Sequence, residues 1–122
     1  MTQVYLIDIK PIGKPRMTQR DKWAKRKCVV NYFTYCDALR SYVAESNMEL
    51  TPTLDITFYI EMPKSWSKKK REAMYMKPHQ SKPDLDNLVK AYCDALYDDD
   101  SGVYSIQCAK YWSDENEIKV VQ

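Results

Sequence analysis

At 122 residues the chain is expected to form one domain over 1–122, burying about two-thirds of its unfolded surface. Its 44% hydrophobic and 30% charged residues argue against a disordered or a membrane-spanning chain, and no apolar run approaches bilayer length. The formal charge of +2 hides segregation: nine Lys/Arg against Asp21 and Asp37 in Lys10–Arg40, seven against Glu72 in Lys64–Lys82, then six Asp against Lys90 in Asp84–Asp100.

From the N-terminus, Met1–Pro11 has no signal-peptide apolar core, and Val4–Ile9 is a run of β-formers stopped by Pro11 and Gly13, which predicts a strand and a turn. Lys14-Pro15-Arg16 follows in a loop. The stretch onward to Lys27 is rich in Lys and Arg, Arg20 among them, with Trp23 in its midst. It reads either as an arm that meets a phosphate backbone or as the solvated start of a helix. From about Asp21 to Ser46 the positions Val29, Tyr32, Phe33, Cys36, Leu39 and Val43 keep a helical period, with Tyr35 and Tyr42 expected to pack. Thr53–Met62 alternates, Leu54, Ile56, Phe58, Ile60 and Met62 on one side, which predicts a half-buried strand of the kind common in antiparallel sheets. After Pro63, Ser65 or Ser67 is placed to cap a short helix, Lys68–Tyr75, whose Lys68, Lys69 and Lys70 face solvent or phosphate. Trp66 has two readings, stacking on an unpaired base or packing, the second at least as strong as the first. Val103–Trp112 and Glu117–Val121 read as two strands joined into a hairpin by Ser113–Asn116. The order β-α-β-α-α-β-β implies an α+β fold with a small mixed or antiparallel sheet. Cys28, Cys36, Cys93 and Cys108 lack metal-type spacing and read as buried, reduced thiols, which places the chain in a cytoplasm. No P-loop, dinucleotide fingerprint or nucleophile elbow is present, and the sole histidine, His79, has no second His to work with.

The chemical centre is Lys82–Leu96 together with Tyr97–Gly102. Leu85, Leu88, Val89, Tyr92 and Leu96 fall on one helix face, and Asp86, Lys90 and Asp94 share another. Pro83 marks the start, with Asp84 at the N-cap and Asp86 in the first turn. The plain structural account is capping by Asp84, for about 1 kcal/mol, and an Asp86–Lys90 surface pair worth about 0.3–0.5 kcal/mol. Asp98, Asp99 and Asp100 fit it poorly, because negative charge at a helix C-terminus is disfavoured and the three repel one another. A hard divalent cation held between acids at the two ends of the helix resolves both problems. An acidic pocket between basic segments suits a metal-dependent enzyme acting on nucleic acid; a merely solvated charged surface is the competing reading.

Lys82-Pro83-Asp84-Leu85-Asp86-Asn87-Leu88-Val89-Lys90, then Asp94-Ala95-Leu96 and Asp99-Asp100-Ser101, resembles the signature of the RusA family of Holliday junction resolvases, many of them phage- or prophage-encoded. Met62–Lys70 and the Pro15-Arg16 turn extend the resemblance over most of the chain, most weakly from about Thr18 to Thr51. The resemblance implies a small homodimeric, Mg²⁺-dependent endonuclease, with Mn²⁺ as a substitute, that makes paired symmetric cuts in branched, four-way DNA in a bacterial or infected-host cytoplasm. It assigns Asp84 and Asp86 to the two leading metal-binding acids, Lys90 to the essential lysine and Asp100 to the third acid. The family usually has more residues between Asp-Ala-Leu and the acidic pair. A helix rises about 15 Å from Asp86 to Leu96 while four extended residues return at most roughly 13 Å, so the chain must turn back sharply and Asp99 or Asp98 remains a substitute for Asp100. Gly102 stands where the family often has Gln.

The expected catalytic set is therefore Asp84, Asp86, Lys90 and Asp100, with Asn87 orienting and Lys14, Arg16, Arg20, Lys68, Lys69, Lys70 and Lys82 meeting DNA. A non-catalytic nucleic-acid-binding module and a flap- or fork-selective nuclease are the alternatives.

Overall fold

The structure, a computed structural model, describes residues 2–16 and 26–122. The expected start of the first helix at Asp21, the Arg20 contact and Trp23 lie outside the described residues. The elements are β1 (Val4–Ile7), α1 (Lys27–Ser46), β2 (Thr53–Glu61), α2 (Lys68–Met74), α3 (Leu85–Leu96), a 3-10 turn at Asp100–Gly102, β3 (Ser105–Ser113) and β4 (Glu117–Val121). They form an α+β fold around a mixed four-stranded sheet ordered β1-β4-β2-β3.

Alternation along β1 and β2 turns Tyr5, Ile7, Leu54, Ile56 and Phe58 to one side of the sheet, where they meet Ile118 and Val120 of β4. Helices α1 and α3 cover that side with Tyr32, Tyr35, Cys36 and Leu39 from one and Leu88, Ala91 and Tyr92 from the other. Val4 and Leu6, on the alternate positions of β1, are 51% and 55% exposed. α1 stops at Asn47, whose φ of 55° takes the left-handed conformation that asparagine tolerates, with its N–H on the Val43 carbonyl. Phe33, expected on the buried stripe of α1, is 54% exposed instead. Cys28 is likewise exposed rather than buried; all four thiols are free.

The C-terminal strands correct the hairpin expectation. β3 pairs in parallel with β2, Thr53 opposite Ser105 through Glu61 opposite Ser113, while β4 pairs antiparallel with the other edge of β2, Ile56 opposite Val120. Thus β2 lies between two strands that are consecutive in sequence, and its half-buried alternation belongs to a mixed sheet. The reason is the helical crossover, since a chain that leaves β2 and returns through α3 re-enters the sheet in the same direction. The other side of β3 is taken at its far end, where Trp112 N–H donates to Lys77 and His79 N–H donates to Lys110. The Ser113–Asn116 turn then bridges the end of β2, Asn116 accepting from the Glu61 N–H at 2.9 Å and donating to the Glu61 carboxylate at 3.3 Å.

Candidate active site

α3 begins where the sequence places it. Asp84 is the N-cap and Asp86 lies in the first turn, but the Asp84 carboxylate makes no capping hydrogen bond. The expected stabilisation of about 1 kcal/mol is therefore not drawn from it, and the carboxylate is exposed with its lone pairs free for other ligands. The loop before it is held from β3: Lys110 Nζ donates to the Ser81 carbonyl at 2.6 Å and to the Pro83 carbonyl at 2.7 Å. At the far end, Arg40 of α1 donates to the Ala95 carbonyl at 2.8 Å and caps α3 with a cation, as the helix dipole favours.

The polar face of α3 carries a chain of ion pairs. Lys14 Nζ lies 2.6 Å from Asp94, Lys90 Nζ lies 3.3 Å from the other Asp94 oxygen, and Lys90 also reaches Asp100 at 3.7 Å. The ammonium of Lys90 thus turns along the helix and not back to Asp86. The bond to Asp94 and its charge, then the charge of Asp100, push the Lys90 pKa upward. Burial raises the Asp94 carboxyl, yet the bonds from Lys14 and Lys90 outweigh it and leave the pKa lowered.

Asn87 donates to the Lys14 carbonyl at 3.2 Å, so it fixes the Gly13-Lys14 loop against the helix. The approach is close: a Cβ on Gly13 would lie 2.5 Å from Asn87 Nδ2.

The chain reverses after Leu96 within a few residues. Asp99 accepts the Ser101 N–H at 2.9 Å and caps the 3-10 turn, which leaves Asp100 to border a cleft of about 360 Å³ with Asp86 and Lys90. Asp98 is exposed. The cleft floor is apolar, made by Val89, Cys93, Ile106 and Cys108. Burial, with Asp100 and Asp94 nearby, pushes the Cys93 thiol up to about 11, so it stays protonated and is no nucleophile. Asp84 borders the neighbouring cleft, of about 550 Å³, together with Lys14 and Lys82. Among the described residues no three His, Cys, Asp or Glu side chains gather closely enough to cage a metal ion. Gly102 has ordinary negative-φ backbone and open space around it, so no hinge requires glycine there.

Of the expected DNA contacts, Lys68, Lys69 and Lys70 lie exposed on α2, capped by Ser67 through its bond from Lys70 N–H at 3.2 Å. Lys82 and Arg16 are exposed, whereas Lys14 is engaged with Asp94. Trp66 packs: its ring lies 4.8 Å from Trp112, with Lys70 Nζ 4.2 Å above it. Sequence reasoning put Asp94 on the face of Asp86 and Lys90 but paired Lys90 with Asp86, although Asp94, four residues after Lys90, was an equally spaced partner. It also missed Lys110, which nothing in a β-strand pattern marks, and the contact made by Gly13.

A family model described as endodeoxyribonuclease RusA matches residues 8–121. The chain belongs to that family. An uncharacterized protein of Bacillus subtilis (strain 168), YqaN, is 38% identical over 78 residues, an alignment covering 57% of this chain. The match spans about half of that relative, 54% of its length.

Proposed function

We propose that this RusA-family chain is an Mg²⁺-dependent, structure-selective DNA endonuclease that resolves four-way junctions by paired symmetric cuts. The observation that carries the reading is the cleft in which α3 sets Asp86 and Lys90 opposite Asp100, with the uncommitted N-cap carboxylate of Asp84 two residues before Asp86 on the rim of the neighbouring cleft. Asp99 is occupied in capping its own turn, so Asp100 takes the part of the third acid.

The donor set fits a hard divalent ion. Mg²⁺ ordinarily takes one or two carboxylates and completes its shell with waters and substrate phosphates, so acids at the rims of open clefts suit an ion shared with DNA better than a closed protein cage would. Asp84, Asp86 and Asp100 would hold it, and when bound it would supply an activated water and neutralise the departing 3′ oxygen; Mn²⁺ is the natural substitute. Lys90, kept protonated by Asp94 and Asp100, donates to phosphate oxygens as negative charge grows on them. Asp94 positions Lys90 and ties Lys14 to the helix. Arg16, Lys68, Lys69 and Lys82 contact the DNA backbone through charge. A symmetric homodimer gives two such sites, one for each cut strand.

The test incubates the protein with a labelled four-way junction and with linear duplex, with and without Mg²⁺, beside Asp86→Asn. Paired nicks confined to the junction, requiring both metal and Asp86, are expected. Binding without cleavage by the wild type would overturn the enzyme reading and favour a non-catalytic module, a role consistent with the lack of a three-acid cage among the described residues.

A further inference from the structure

The core-facing row of β3 is not covered along its whole length. Cys108 and Ile106 border the acid-rimmed cleft, and both lie on the core side of the sheet, opposite Ile56 and Leu54 of β2. Tyr104 stands just ahead of β3, two residues before Ile106 and four after Asp100, both of which border that cleft, and its backbone is tied to the entry of β2 by an N–H bond to the Pro52 carbonyl at 3.0 Å. Cys108 is half-buried, Ile106 is 49% exposed and Tyr104 is 78% exposed, the highest value for a large apolar side chain among the described residues. Exposure of apolar surface therefore increases from the cleft floor at Cys108 and Ile106 to Tyr104 at the start of the strand.

Phosphate chemistry uses only the rim of this cleft, where Asp86, Lys90 and Asp100 stand. The apolar floor and the exposed apolar surface at Tyr104 are left for whatever is covalently attached to the phosphate, and in DNA that is a sugar and a flat, apolar-faced base. A base within an intact duplex has both faces stacked, whereas one beside a branch point can offer a face. With Trp66 packed against Trp112, Tyr104, 78% exposed and two residues from the cleft-lining Ile106, is an aromatic ring available to meet it.

Resting on the nuclease reading, we propose that Tyr104 stacks on a nucleobase exposed at the branch point beside the scissile phosphate, and that Ile106 supports the same nucleotide. Tyr104 is thus a specificity-determining residue that separates branched from linear DNA. Its exposure makes substitution there a surface change that leaves the fold intact.

The experiment compares wild type, Tyr104→Ala and Tyr104→Phe on a four-way junction carrying 2-aminopurine at the branch, with Ca²⁺ in place of Mg²⁺, and on linear duplex. Tyr104→Ala should bind the junction about tenfold more weakly and linear duplex equally well, while Tyr104→Phe matches the wild type. Branch-point emission should be quenched by wild type and Tyr104→Phe and not by Tyr104→Ala. Unchanged junction affinity and emission in Tyr104→Ala would overturn the proposal, as would a change in its sedimentation mass, which assigns the ring to a protein contact. Neither readout needs cleavage. A wild type that binds junctions through Tyr104 without cutting keeps this inference and removes the nuclease reading; one that cuts junctions while Tyr104→Ala behaves identically does the opposite.

Discussion

The two faces of α3 obey different rules. Leu88, Ala91 and Tyr92 are fully buried, so that side answers to volume and transfer free energy, and any apolar side chain of the right size meets most of its demand. On the other side Asp86 and Lys90 are exposed and Asp94 half-buried, and identity matters there because each charge has a particular partner: Lys14 with Asp94, Lys90 with Asp94 and Asp100. Asp84 and Asp86 have no ion pair among the described residues. The helix stores stability on one side and keeps two uncommitted carboxylates at its start.

Substitutions should separate the faces. Asp86→Asn is expected to lower junction cleavage about a thousandfold, roughly 4 kcal/mol of barrier, while urea unfolding shifts by no more than about 0.5 kcal/mol. Leu88→Ala is expected to do the reverse, losing about 2–5 kcal/mol of stability to the cavity it leaves and keeping single-turnover cleavage well below its melting temperature. A large stability loss in Asp86→Asn, or a cleavage defect in folded Leu88→Ala, breaks the division of labour.

Gly13 probes the seam where the loop carrying Lys14 meets the polar face. Alanine there forces Asn87 Nδ2 away from a position 2.5 Å from the new methyl and with it the bond to the Lys14 carbonyl. Gly13→Ala should cost about 1–2 kcal/mol, the loss of a hydrogen bond plus crowding. In an Asn87→Ala background the same change should cost markedly less, because the obstructing amide is gone. Additive costs in that double-mutant cycle by urea unfolding would place the strain elsewhere.

What the sequence makes legible follows from the range of the interaction. α3, its N-cap at Asp84 and the run of β2 are local patterns of apolar spacing and punctuation, and they stand where the spacing puts them. The pairing of β3 with β2 is long-range. Alternation in Ser105–Ser113 tells which side chains point inward but not which strand lies alongside, and a short polar turn suggested a hairpin where the chain instead carries β4 across to the other edge of β2. The same limit hides Lys110, whose role depends on the Ser81–Pro83 loop lying across the edge of β3. Within the candidate site, Asp86, Lys90 and Asp100 could be named from their order along the chain. How Asp98, Asp99 and Asp100 differ in surroundings depends on the turn itself, in which Asp99 binds the Ser101 N–H while Asp100 borders the cleft with Asp86 and Lys90.

The smallest expected effect tests the support beneath the acids. His79 is 3% exposed, its ring centroid lies 4.2 Å from that of Trp112, and its Nδ1 has no hydrogen-bond partner. Burial, followed by the positive charge of Lys110, lowers its pKa below the ordinary histidine value of 6.5. The unfolded chain therefore takes up this proton first, so the neutral ring costs nothing above about pH 6.5 and stability declines as pH falls below it toward the lowered folded value. The charge would arise beside Lys110, the residue that holds the Ser81 and Pro83 carbonyls ahead of Asp84. Melting temperatures should fall more steeply from about pH 7.5 to about pH 5 in the wild type than in His79→Gln, which has no proton to gain. Parallel profiles would show that the acid sensitivity arises in groups other than the histidine behind the loop.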